Sequence, residues 1–200
     1  MTETVIGLLR HGQTDWNIDF RLQGTTDIPL NETGIEQAHE VGKLILANDW
    51  DALICSPLSR AAVTAQIVAQ ESGLAQATVE PLLLERSFGE AEGLTHEEWK
   101  ANYANLSVLP GGESLAELSD RAWKLLDLFA ETYSGKRILT VSHGALIRKV
   151  VKLVSKGELP REGERFGNAS LSTIVHDAQG WRIGVFNPHT YKGESLQLPK

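Results

Sequence analysis

Apolar, β-rich runs of strand length alternate along this chain with longer segments whose apolar residues recur at three and four spacing. That alternation limits the available folds more than any other feature. Val5 to Leu9 predicts a strand, Ile35 to Ala47 a helix, Ala52 to Cys55 a strand and Leu58 to Gln70 a helix. The rhythm continues with Thr78 to Leu84 as a strand, Ser114 to Thr132 as a long helix, Arg137 to Val141 as a strand and Ala145 to Val154 as a helix. This order implies an α/β fold: a three-layer α/β/α sandwich whose mostly parallel sheet carries helices on both faces. Ser172 to His176 and Trp181 to Phe186 flank a turn and read as a hairpin that adds an antiparallel edge strand. From Glu85 to Gly112 the rhythm breaks around several glycines and Pro110, with a short helical patch near Glu97 to Tyr103. Residues 86–112 are therefore expected to be a lid insertion, because irregular stretches of that length inside a domain are usually functional. With no repeat or linker, residues 1–200 are expected to form a single domain.

Composition removes several function classes. At 42% hydrophobic and 22% charged residues, the chain has the make-up of an ordinary globular protein rather than a disordered one. Its longest apolar stretches fall far short of the ~20 residues of a membrane helix, so no membrane partner is expected. The N-terminus lacks a basic region and an apolar leader core. The single cysteine, Cys55, cannot form an intramolecular disulfide. Both features lead to the expectation of a cytoplasmic protein. Lys and Arg number 19 against 26 Asp and Glu, a net charge of −7. That balance disfavours nucleic acid as a partner, and it means that positive charge for an anionic substrate must be gathered in one pocket. Nothing in the sequence fixes the oligomeric state.

The chemistry-bearing residues fall at predicted strand ends, where open α/β sheets bind their ligands. The first strand ends in Arg10-His11-Gly12 and the strand at 137–141 ends in Ser142-His143-Gly144. One His-Gly pair alone reads as an ordinary turn; two at matching strand ends read as a site. Pro57 behind a Ser56 N-cap predicts a helix start that places Arg60 in the first turn, near free N–H groups that favour anions. Glu85 follows the predicted strand at 78–84. Arginine forks suit phosphate oxygens, a neutral imidazole can attack phosphorus, and a carboxylic acid can protonate a departing alkoxide. Arg10 and Arg60 are expected to lower the His11 pKa and keep its ring neutral. No metal-ligand spacing, Gly-x-Ser-x-Gly or P-loop pattern competes. The basic run Arg148, Lys149, Lys152 and Lys156 reads as a solvated helix face.

The ordered series Arg10-His11-Gly12-Gln13-Thr14, Asn17, Gln23-Gly24, Asp27 to Gly34, Ser56 to Ala61, Glu85 to Gly89, Pro110 to Ser114 and Ser142-His143-Gly144 resembles the histidine phosphatase superfamily. The group resembled is phosphoglycerate mutase-like, and the closer likeness is to its broad-specificity phosphatase branch. The resemblance implies that His11 is phosphorylated in catalysis, that Arg10, Arg60 and His143 hold the phosphoryl group, and that Glu85 donates a proton. It further implies substrate contacts from Asn17, Gln23, Gly24 and the Gly144-Ala145 backbone, small phosphorylated metabolites as substrates, and no metal or cofactor. A phosphoglycerate mutase is the alternative, and a phosphate-binding module without turnover is a second. Between Gly89 and Gly112 only Lys100 is basic, and Glu85-Arg86-Ser87-Phe88-Gly89 departs from the mutase-like Glu-Arg-His-Tyr-Gly; both favour the phosphatase. Trp99, Tyr103, Leu106, Val108 and Leu109 form an apolar set that could face a hydrophobic leaving group.

Overall fold

Strand β1 (Thr4–Arg10) shows how the two faces of the sheet are built. Ile6 and Leu8 point into one apolar cluster, and Leu9 points into another on the opposite face, the period of two expected of a strand covered on both sides. Gly7 shares the second face because the Trp50 ring lies on it; a Cβ there would stand 2.6 Å from the indole. The structure, a computed structural model, describes residues 3–192.

Helices α1 (Asp15–Ile18) and α2 (Glu32–Leu44) follow, then β2 (Ala52–Cys55), α3 (Ser59–Ser72) and β3 (Thr78–Val79). After these come α4 (His96–Asn102), α5 (Leu115–Thr132), β4 (Arg137–Ser142), α6 (Gly144–Val154), β5 (Leu171–Asp177) and β6 (Gly180–Ile183). The sheet order is β3-β2-β4-β1-β5-β6. β3, β2, β4 and β1 are parallel, whereas β5 and β6 are antiparallel to their neighbours, so the antiparallel edge is two strands wide. Val41 of α2 and Val68 of α3 bury against one face, and Leu125 of α5 and Ile147 of α6 against the other. Three layers result, as the alternation in sequence implies.

Several boundaries differ from expectation. Helix α2 begins three residues earlier than predicted, because Asn31 caps it by accepting the Gly34 N–H at 2.9 Å. Helix α3 starts at Ser59 after Leu58, not behind a Ser56 cap. The hairpin strands are shifted to Leu171–Asp177 and Gly180–Ile183. The largest departure is the strand expected over Thr78 to Leu84, which stops at Val79. Pro81 has no N–H to give a ladder, and Glu80 accepts the Leu82 N–H at 2.8 Å, so the chain turns into a 3-10 helix over Pro81–Leu83. Carbonyls freed from the sheet find another donor. Arg121 of α5 donates to the carbonyls of Leu82 (2.9 Å) and Leu84 (2.7 Å), while its fork holds Glu113 through two bonds of 2.8 and 2.7 Å. This pair is largely buried, at 16% and 17% side-chain exposure. Breaking such a pair from one side strands the remaining charge, which costs about 3 kcal/mol or more. Arg121→Met is therefore expected to lower the unfolding free energy by roughly that amount in urea titration, and Arg121→Met with Glu113→Leu should recover part of the loss.

Candidate active site

Because β2, β4 and β1 are adjacent and parallel, their C-terminal ends open side by side. The register pairs Arg10 with Ser142 and Cys55 with Val141. The His11 N–H then bonds the Ser142 carbonyl and the Ser56 N–H bonds the Val141 carbonyl, each at 3.0 Å. Two strand-end histidines are thereby placed with ring centroids 5.2 Å apart. Ser56 Oγ accepts the Leu58 N–H at 3.4 Å and meets His143 Nε2 at 2.7 Å.

The His11 ring is oriented by its own loop. Nδ1 lies 2.6 Å from the Gly12 carbonyl, which can only accept, so Nδ1 carries the proton and the lone pair of the neutral ring is left on Nε2. Gly12 and Gly34 allow that loop to lie flush on α2. A Cβ on Gly12 would stand 2.3 Å from the Gly34 carbonyl oxygen, and one on Gly34 would stand 2.1 Å from that of Gln13. The loop is tied further by the Gly12 N–H to Thr64 Oγ1 of α3 at 3.1 Å.

Two guanidiniums flank the histidines. Arg60 is 1% exposed and donates to the carbonyls of Thr26 (2.9 Å) and Gly24 (2.7 Å). Arg10 donates to the Phe166 carbonyl at 2.5 Å. Among the described residues neither has a carboxylate ion-pair partner. The buried atoms Arg10 Nε, Arg60 Nε and His143 Nδ1 have no hydrogen-bond partner. Burial, reinforced by Arg10 and Arg60, holds the His11 imidazole well below 6.5, and burial with His11 and both arginines does the same to His143. The arginine effect expected from sequence is present but second to burial. Arg10 itself is lowered to about 10, first by burial, although Glu85 pulls the other way.

Glu85 lies at the N-terminus of α6. Its carboxylate accepts the N–H groups of Arg86 (2.9 Å), Ala145 (3.0 Å) and Leu146 (3.1 Å). A cavity of about 280 Å³ brings Arg10, His11, Arg60 and Glu85 together with Asn17, Gln23, Gly24, Gly144 and Ala145. His143 is wholly buried behind it. Gly144 leaves the Arg10 guanidinium uncovered: a Cβ there would stand 3.5 Å from its Nε. Gln23 is 8% exposed with an unpartnered Oε1. Among the described residues no group of three His, Cys, Asp or Glu side chains is placed to hold a metal ion.

Residues 6–188 match the family model of the histidine phosphatase superfamily, branch 1. The chain belongs to that superfamily. It is 38% identical to the uncharacterized phosphatase PhoE of Bacillus subtilis, over 94% of this chain and 96% of that protein. It is 36% identical to the probable phosphoglycerate mutase GpmB of Salmonella, over 87% and 86% respectively. Among solved structures, a mycobacterial glucosyl-3-phosphoglycerate phosphatase superposes with a TM-score of 0.79 at 29% identity, covering 92% of this chain and 99% of that one. An Entamoeba histolytica phosphoserine phosphatase does so with 0.76 at 31% identity, covering 92% and 96%.

Around this histidine phosphatase site the structure adds residues that sequence reasoning passed over. Asn168 Nδ2 donates to the carbonyls of His11 and Gly12 (both 3.1 Å) and to Asn17 Oδ1 (3.0 Å), joining the start of β5 to the His11 loop. No local pattern marks it; only the pairing of β5 with β1 does. Arg148 lines the cavity instead of lying on a solvated face. Its signal was present, since it follows Gly144 by four positions and so shares that helix face. Lys149 is also engaged, donating to Ser119 Oγ of α5 at 2.9 Å, whereas Lys152 and Lys156 are exposed. Arg21 and Arg165 join the cavity wall, so its positive charge does not depend on Lys100. Glu90 and Glu92 separate cleanly. Glu90 is exposed, whereas Glu92 accepts the N–H groups of Thr25 (3.0 Å), Thr26 (2.9 Å) and Phe88 (3.0 Å) and the Thr26 hydroxyl. Burial raises the Glu92 carboxyl, but those bonds outweigh it and hold the group below its usual 4.5. Of the apolar set at 99–109, Tyr103 and Leu109 turn into a small core with Phe88, and Val108 is exposed.

The two buried imidazoles make stability depend on pH. Folded, both titrate well below 6.5; in the unfolded chain they regain the ordinary value. Below pH 6.5 the unfolded chain binds more protons, so stability is full above that value and falls as pH is lowered, by up to about 1.4 kcal/mol per pH unit for each histidine. His143→Asn is expected to remove its share of this slope between pH 7 and 5 in a series of denaturant titrations; an unchanged slope would contradict the assignment.

Proposed function

We propose that this protein hydrolyses small phosphomonoesters through a phosphohistidine on His11, without a metal ion. The observation that carries the reading is a neutral, buried His11 whose Nε2 lone pair is free, set between two buried guanidiniums that make no ion-pair contact with a carboxylate among the described residues. Buried charge without a counterion is costly, and a phosphate dianion relieves it. In this reading Arg10, Arg60 and the Nδ1–H of His143 hold the phosphoryl oxygens, and Ser56 fixes the His143 ring. Asn17, Gln23, Gly24, Gly144 and Ala145 line the substrate path.

The His11 Nε2 lone pair attacks phosphorus and the ester P–O bond breaks. The leaving oxygen takes a proton from Glu85, which lies against the backbone N–H groups of α6. Water then attacks the phosphohistidine, Glu85 takes the proton released, the P–N bond breaks and phosphate leaves. Positive charge that a metal would bring comes from the arginines and the N–H groups.

The hydrolase reading is favoured over the mutase by Arg86, the residue of Glu85-Arg86 that keeps the mutase in view. Its guanidinium donates to the carbonyls of Glu113 (2.8 Å) and Leu106 (2.5 Å) and lines neither the His11 cavity nor its outer extension. Residues 1–200 act as one domain in this reading, with 86–112 as a lid over the site. The buried thiol of Cys55, raised by that burial, suits a reducing cytoplasm. Among the described residues no helix is long and apolar enough to cross a membrane.

Rapid quench with radiolabelled phosphomonoester is expected to trap label on His11, with full activity in chelator. His11→Ala should remain folded and inactive, and label on another residue would overturn the mechanism. Glu85→Gln is expected to slow alkyl esters by ~10²–10⁴-fold but an aryl phosphate such as nitrophenyl phosphate far less, since that anion leaves without a proton. Glu90→Gln serves as the control at wild-type rate. Equal losses on both ester types would assign Glu85 to positioning instead.

A further inference from the structure

Asn168 stands just before β5, and its amide meets three acceptors at once: the His11 and Gly12 carbonyls, both at 3.1 Å, and Asn17 Oδ1 at 3.0 Å. Carbonyls can only accept, so the group that faces them is the NH2 of Asn168. Asn17 is equally determined. Its amide also meets the Thr14 backbone N–H at 3.1 Å, which can only donate, so the atom turned toward Thr14 and Asn168 is the oxygen. That leaves the two N–H bonds of Asn17 for the cavity, which Asn17 lines beside Arg10 and His11. An amide turned the other way would set a carbonyl oxygen against a phosphoryl dianion.

The tie to Asn168 differs in kind from the others around Asn17. Thr14 reaches Asn17 through a capping box, its N–H and hydroxyl at 3.1 and 3.2 Å from Oδ1, but that box lies within the single turn of α1 and moves with it. The loop before α1 is held elsewhere, by Thr64 at Gly12 and by Gln37 at Gln13. Among the described residues, Asn168 is the partner of the Asn17 side chain that comes from outside α1 and its cap. It is itself secured. The Thr190 hydroxyl donates to the Asn168 carbonyl at 3.0 Å, the Ala169 N–H donates to the Arg10 carbonyl at 3.1 Å, and the Phe166 carbonyl accepts the Arg10 guanidinium at 2.5 Å. Ala169 sits fully buried at φ +53°, a left-handed backbone that a residue with a Cβ adopts only at a cost. Strain of this kind is kept where the surrounding structure needs the geometry it gives, here the seating of Asn168 over the His11 loop.

We propose that Asn168 is a positioning residue for phosphoryl transfer: through its bond to Oδ1 it fixes α1 against the His11 loop and keeps the N–H groups of Asn17 aimed at the phosphoryl oxygens. Both of its own N–H bonds are spent, one shared between the two loop carbonyls and one on Asn17, so it acts through Asn17 and not on the substrate. The proposal rests on the hydrolase reading above.

The test is a double-mutant cycle on kcat/KM for nitrophenyl phosphate, read together with the inhibition constant of inorganic phosphate. Misaiming a hydrogen bond to a charged group costs about tenfold or more, so Asn168→Ala is expected to lower kcat/KM and to weaken inhibition by phosphate by about that factor. In a protein already carrying Asn17→Ala the same substitution should cost less than about threefold, because the group it orients is gone. Thr190→Val removes the hydroxyl that secures Asn168 at nearly constant shape. It should act in the same direction by about threefold and lose its effect beside Asn17→Ala, which supplies the cycle should Asn168→Ala fail to fold. Equal losses with and without Asn17, or no loss from either variant, would overturn the positioning role while leaving the hydrolase reading intact. A wild-type protein that turns over no phosphomonoester and takes no label on His11 would overturn the hydrolase reading and this proposal with it.

Discussion

Two buried guanidiniums that touch no carboxylate are the constraint to which the rest of the site answers. Carbonyl oxygens of Gly24, Thr26 and Phe166 satisfy part of their hydrogen bonding, and Glu85 acts on both only through space. A carboxylate in their place would have made a stable ion pair and a dead pocket. Burial first, and then the charge of Arg10 and Arg60, makes the neighbouring imidazoles resist protonation, which keeps the His11 lone pair available at neutral pH. The same field makes a dianion welcome in a protein of net charge −7.

Holding such charges in place takes a scaffold of polar ties. The carbonyls that grip Arg60 belong to residues 24–26, a segment fixed in turn by Glu92, whose other oxygen contacts reach Phe88 just beyond Glu85. Arg60, Gly24 and the start of the 86–112 segment are therefore one connected unit. On the other side Asn168 secures the His11 loop, and Arg121 secures the stretch that carries Glu85. None of these ties touches the reacting atoms, yet each sets the position of a group that does.

Much of this was legible in the sequence, for a physical reason. Strand periodicity fixes which residues alternate, parallel order follows from the intervening helices, and ligands collect at strand C-termini, so His11 and His143 could be brought together before any coordinates were known. What was misread involved competition between rules. Ser56 has the residue type of an N-cap, but α3 begins three residues later, and its hydroxyl meets His143 at 2.7 Å while accepting the Leu58 N–H at only 3.4 Å. Thr78 to Leu84 carries the apolar content of a strand, but Pro81 within it deserved more weight than that content. Arg148 was assigned by charge when its position relative to Gly144 was the better guide. Asn168 had no signal at all, since its partners are more than 150 positions away.

A division of labour between sheet and surface follows from where each wall originates. The residues that the proposed mechanism places against the phosphoryl group come from strand ends and the helix starts behind them, whose positions the sheet dictates. Solved relatives near 30% identity share this fold closely. In the outer extension of the cavity, Trp99 and Leu106 come from α4 and the stretch beyond it, which no strand register binds. They can be resized without disturbing His11, Arg10 or Arg60, and so substrate choice is free to diverge where the catalytic arrangement is not. The relatives bear this out in their names, which range from a phosphoserine phosphatase to a glucosyl-3-phosphoglycerate phosphatase on the same frame.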